Sequence, residues 1–136
     1  MEADRGAGAD WIGYWDADLA TPLSEVATLL SYQGLLAERV DAVFGSRISR
    51  LGARIERSYL RHLSGRAFAT VAAVALRVNT YDSQCGAKLF RREVVQQAFG
   101  DPFVSRWIFD LEIVLRLGSA NVIECPVHHW LDVKGS

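Results

Sequence analysis

Short apolar runs alternate with stretches of helical spacing along this chain, and that alternation limits the fold to layered arrangements of strands and helices. Trp11 to Trp15 (WIGYW) is aromatic and apolar and suits a buried strand. Thr21-Pro22 offers an N-cap followed by proline in the first helical position, and Leu23, Val26, Ala27 and Leu30 recur at helical spacing. The pattern therefore predicts a helix to about Glu38, and Val40 to Gly45 predicts a second strand. A long helix is expected from about Arg50 to Leu76, with Leu51, Ile55, Leu60, Leu63, Phe68 and Val71 on its apolar side. The periodicity breaks from Tyr81 to Gly86. A short strand at Ala87 to Phe90 follows, then helices near Arg92 to Phe99 and Ser105 to Leu117. A last strand is predicted at Asn121 to Val127, with Ile123, Cys125 and Val127 on one side.

Bulk properties narrow the class further. A chain of 136 residues, 50% of them hydrophobic, can form one domain over residues 1–136 around a real core. With a formal charge of -1, nothing global argues for nucleic acid as a partner or for a generally basic surface. Cys85 and Cys125 belong to no CxxC or Cys/His cluster, so buried reduced thiols are expected rather than zinc ligands. The opening MEADRGAGAD is polar and unlike a signal peptide. The longest uncharged apolar run, Ala67 to Leu76, has about half of the ~20 residues that cross a bilayer. It reads as core or as an interfacial segment. The expectation is a cytoplasmic chain, at most peripheral on the inner membrane face.

The first strand ends on Asp16-Ala17-Asp18. Two carboxylates spaced i, i+2 at a strand end can face one ion if the chain turns there, and hard oxygens suit magnesium or manganese. Such an ion neutralises a diphosphate, the leaving group when a sugar departs from a nucleotide. The competing reading is a pair of solvated acids capping the following helix. A phosphatase of the haloacid dehalogenase type would need Thr or Val where Ala20 stands, and no later lysine with paired aspartates is evident.

Three further segments extend the pattern. GADWIGYWDADLATP (Gly8 to Pro22), FGSR (Phe44 to Arg47) and DSQCGAKLFRR (Asp82 to Arg92), with RWIFDLEI (Arg106 to Ile113) and the tail ECPVHHWLDVKGS (Glu124 to Ser136), occur in order. Together they resemble family-2 glycosyltransferases of the GT-A type, and in particular those that move a sugar onto dolichyl or polyprenyl phosphate. The resemblance implies an α/β fold, a partial GT-A (Rossmann-like) mixed sheet flanked by helices. It implies metal-dependent, inverting transfer from a UDP- or GDP-linked nucleotide-sugar to a lipid phosphate acceptor, with Mg2+ or Mn2+ held by Asp16 and Asp18. Asp16, Asp18 and Arg47 would meet the nucleotide-sugar. Asp82 matches an acid near the acceptor, and Asp110 and Glu112 stand where other family members carry a Glu-Asp signature; all three are candidate catalytic groups. The lipid phosphate is already ionised, so positioning and charge neutralisation matter more than a strong base.

Arg50, Arg54, Arg57 and Arg61 would share one face of the long helix, either as a solvated surface or as a contact for lipid phosphate or an anionic membrane. Arg54, Arg61, Arg106 and Trp107 are the candidates on that acceptor side. His128 and His129, just after a strand, read as edge or surface residues. Domains of this type begin roughly ninety residues before the acid motif, so the donor pocket is expected to be half built within this chain. Ala20 also stands where some relatives carry a glutamine metal ligand. A parallel sheet cut through its middle exposes an edge and an apolar face, which predicts a homo-oligomer. The alternative function is a truncated, inactive remnant that acts as a self-associating interaction module.

Overall fold

The computed structural model describes residues 8–36, 38–56, 80–106 and 108–131. Its elements, in chain order, are β1 (Trp11–Trp15), α1 (Glu25–Gly34), β2 (Ala42–Ser46), β3 (Arg54–Glu56), β4 (Ala87–Arg91), α2 (Arg92–Phe99), α3 (Phe109–Leu117), β5 (Val122–Pro126) and β6 (His129–Leu131). Four strands form a mixed sheet in the order β1-β4-β2-β5. β4 runs antiparallel to both β1 and β2, while β5 runs parallel to β2. β1, β2 and β5 therefore point the same way, and β4 is inserted against them. β3 and β6 make a separate parallel pair.

Helices cover both faces, as the alternation in sequence predicts. The side-chain period of two sends Val43 and Leu89 to one face, where they pack with Leu29 of α1, Val40, Cys125, Val127 and Trp130. It sends Ala42, Phe44 and Phe90 to the other, against Val94, Val95 and Ala98 of α2 and Ile113 and Leu117 of α3. Leu29, Val43, Phe90, Ile113 and Leu117 are fully buried, each worth about 1.5–3 kcal/mol of transfer free energy. Edge-to-face contacts link Phe44 to Phe90, Phe90 to Phe99, and Phe99 to Phe103. Ile123, Cys125 and Val127 do share one face. Both cysteines are buried and free, and burial pushes their thiols above the usual range.

Two expectations about local structure are corrected. α1 begins at Glu25 with Ser24 at its N-cap, and Thr21-Pro22 forms a turn ahead of it. Thr21 is buried, its carbonyl accepting the Trp15 indole N–H at 2.7 Å. The Pro22 carbonyl accepts the Glu25 amide at 3.0 Å. No helix starts at Arg50. Ala53 N–H donates to the Arg50 carbonyl, Gly52 takes φ +84°, and the chain enters β3. The Arg54 amide donates to the His128 carbonyl at 2.6 Å. Leu51, placed on an apolar face by the spacing, is fully exposed. Arg50 and Arg54 thus share no helical face. Arg57, Arg61, the run Ala67 to Leu76 and Trp107 lie outside the described residues. Among the described residues, no helix is long and apolar enough to cross a membrane.

Candidate functional site

In open α/β sheets, ligands bind beyond the carboxyl ends of the parallel strands. Here that end gathers the residue after β1, the residue after β2 and the loop before β4.

Leaving β1, the chain turns at once. The Leu19 amide donates to the Asp16 carbonyl at 3.1 Å, and the Ala20 amide to Asp18 Oδ1 at 3.0 Å. Leu19 sits at φ 51°, the left-handed region that costs a non-glycine residue roughly 1–2 kcal/mol. The turn leaves the Asp16 and Asp18 side chains exposed. Asp16 is also tied to the sheet. Its amide donates to the Gly86 carbonyl at 2.8 Å, and its Oδ1 accepts the Tyr14 hydroxyl at 3.0 Å. Burial, together with the Asp16 and Asp110 carboxylates, pushes the Tyr14 phenol far above its usual range, so it stays a donor. Gly86 suits this closeness: a Cβ there would collide with the Asp16 carboxylate and lie 2.6 Å from Asp16 Cβ.

Arg47, one residue past β2, meets Asp82 in a bidentate pair. Nε donates to Oδ2 at 2.7 Å, Nη2 to Oδ1 at 2.6 Å, and the Arg47 amide adds a third bond to Oδ2 at 2.9 Å. The guanidinium also lies over the Trp130 ring, 5.3 Å from its centroid. Burial works against the charge on Arg47, but the Asp82 bonds outweigh it and hold the group more firmly protonated.

Lys88 and Asp110 form a second pair. Lys88 is fully buried in β4, and its Nζ donates to Asp110 Oδ1 at 2.5 Å and to the Cys85 carbonyl at 2.6 Å. The ammonium lies 5.4 Å from the Phe44 ring centroid and 5.7 Å from that of Tyr14. Burial raises the Asp110 carboxyl above the ordinary range against the pull of Lys88. With Asp16, Asp82 and Asp110 against Arg47 and Lys88, the cluster has an excess of acidic groups.

Glu112 stands apart from this group. It pairs with Arg116 at 2.8 Å and accepts the Val104 amide at 3.0 Å, so it braces the loop ahead of α3. Arg54 and Arg106 are exposed, Arg54 on β3 and Arg106 ahead of α3. The sheet thus brings Asp16, Arg47, Asp82 and Asp110 together, joined by Tyr14 and Lys88, which the sequence pattern did not single out. For Lys88 a signal existed: alternation places it on the same face of β4 as Phe90, a core position.

Among the described residues, no three His, Cys, Asp or Glu side chains make a ready metal cage. Two exposed carboxylates still fit magnesium, which is often held by one or two carboxylates with substrate phosphates and waters completing its shell.

No family model matches the chain. Curated relatives do. A dolichyl-phosphate beta-glucosyltransferase of Trichomonas vaginalis is 35% identical over 126 residues, covering 89% of this chain and 37% of that protein. A second from the same organism is 30% identical, covering 89% and 38%. The glycosyltransferase AglD of Haloferax volcanii is 33% identical over 130 residues, covering 93% of this chain and 20% of that protein. The chain thus spans less than two fifths of the length of these relatives. Over that span, the chain is a family-2-type glycosyltransferase homologue, related to the dolichyl- and polyprenyl-phosphate sugar transferases.

Proposed function

We propose that this chain supplies the metal, phosphate and acceptor side of a site that transfers a sugar from a UDP- or GDP-linked donor to a polyprenyl or dolichyl-type phosphate. One observation carries the reading. Asp16, Arg47–Asp82 and Lys88–Asp110 meet at the carboxyl end of the parallel strands, with a surplus of carboxylate beside an arginine. That charge pattern suits a divalent cation and a diphosphate together.

The chemistry is an inverting displacement. A lipid phosphate oxygen forms a bond to the anomeric carbon, the bond from that carbon to the diphosphate breaks, and the electron pair leaves with the nucleoside diphosphate. Asp16 and Asp18 would hold magnesium or manganese, which would neutralise the leaving group. Arg47 offers a guanidinium to phosphate oxygens, and Asp82 orients it. Both Asp82 oxygens accept from Arg47, so we assign Asp82 to orientation and electrostatics rather than to strong-base work. An ionised acceptor needs no such base. Asp110, paired with Lys88, sets the charge beneath Tyr14 and Asp16. Glu112 keeps a bracing role, while Arg54 and Arg106 are the described candidates for the acceptor phosphate or a membrane surface.

Manganese spin resonance tests this. The free-ion signal should fall when protein is added with UDP or GDP, and Asp16→Ala or Asp18→Ala should restore it. An equal signal with and without protein would overturn the reading. The second reading, a self-associating module, draws on β1: among the described residues it pairs with β4 alone, so its other edge is open.

A further inference from the structure

Glu124 has its carboxylate at the root of the Arg47–Asp82 pair. It sits in β5 opposite Phe44 of β2, three residues before Arg47. Its side chain reaches into the segment that precedes β4. Oε1 accepts the Thr80 hydroxyl at 3.1 Å and the Asp82 amide at 2.8 Å, and Oε2 accepts the Tyr81 amide at 2.8 Å. Two consecutive backbone N–H groups and a hydroxyl thus converge on one carboxylate, and the segment is held from the sheet. The last of the three residues is Asp82, whose two oxygens take Arg47 Nε, Nη2 and the Arg47 amide. β5 is thereby linked through the loop and Asp82 to the guanidinium.

We propose that Glu124 is a positioning residue that sets Asp82 and, through it, the direction in which Arg47 presents its N–H groups to phosphate. Its phosphate-facing part rests on the reading of Arg47 given above; the link from Glu124 to Arg47 does not. The residue type matters. An amide in place of the carboxylate would turn an NH2 group toward either the Tyr81 amide or the Thr80 and Asp82 donors, leaving donor against donor. A loop without its clasp would let Asp82 drift, and a bidentate bond tolerates little drift.

The test uses the whole chain labelled with 15N. In the wild type the Arg47 Nε–H resonance should be shifted downfield and protected from exchange by its bond to Asp82. Glu124→Gln should move that resonance back toward the free-arginine position and speed exchange of the Tyr81 and Asp82 amides at least tenfold. Affinity for UDP in the presence of manganese should fall about tenfold. Thr80→Val keeps the backbone bonds and should produce the same changes at smaller size. It also decides the matter should Glu124→Gln fail to fold. An Arg47 Nε–H signal unmoved in the folded variants would overturn the proposal. If the wild type binds no UDP at all, the phosphate reading fails, and the Arg47 resonance still decides whether Glu124 positions the pair.

Discussion

Lys88 and Asp110 show what a buried charge demands. A lysine with no exposed surface is tolerated because a carboxylate, a carbonyl and two aromatic faces surround it. Removing either partner leaves the other buried and uncompensated. We expect Lys88→Met and Asp110→Asn each to lower unfolding free energy by about 3 kcal/mol in urea titrations, and the double variant to lose less than the sum. Additive losses would mean the pair is not coupled. Gly86 makes a different prediction. A Cβ there collides with Asp16 itself, so Gly86→Ala should weaken manganese-dependent nucleotide binding as far as Asp16→Ala does, measured by titration calorimetry. At this scale the sequence is uneven. Asp16, Asp18, Arg47 and Asp82 sit in motifs and could be picked out. Glu124 and Glu25 could not, because their partners are backbone amides far away in sequence, and no spacing rule reports those.

Elements with strong local periodicity are legible: α2 spans Arg92–Phe99 as the pattern predicts, and β1 and β4 start where their apolar runs do. β3 and β6 are three-residue strands that, among the described residues, pair with each other across seventy or more intervening residues, so neither carries a signal of its own. Arg50 and Arg54, one helical step apart, gave the wrong period for the same reason, since pairing of Arg54 with β6 overrides propensity there. Glu25 locks this corner. It is buried in the first turn of α1 and accepts the His128 and His129 amides at 3.1 and 2.9 Å. Burial alone would raise its carboxyl, but these bonds hold it below the ordinary range. The ionised form is therefore favoured in the fold. Its stabilisation is complete above the unfolded value near ~4.3 and is lost as pH falls through the lower folded value. Thermal unfolding should show the gap between the wild type and Glu25→Gln wide at pH 7 and closing toward pH 3. A constant gap would contradict the sign.

Taken whole, the described residues place a GT-A-like mixed sheet, helices on both faces, and an acidic site at one end, in a chain related to part of much longer glycosyltransferases. The edge of β1 that is unpaired among the described residues lies next to the acid motif, so whatever covers that edge also borders the site. Sedimentation should therefore show mass rising with concentration, and a monomer at high concentration would speak against self-association. On the function proposed here, Asp16 and Asp18 bind a nucleoside diphosphate through a divalent ion. Calorimetry of UDP and GDP, with and without manganese, tests it most directly. Heat of binding should appear with manganese and vanish both without it and in Asp18→Ala. Binding that ignores manganese and survives Asp18→Ala, or no binding under any condition, would contradict the claim.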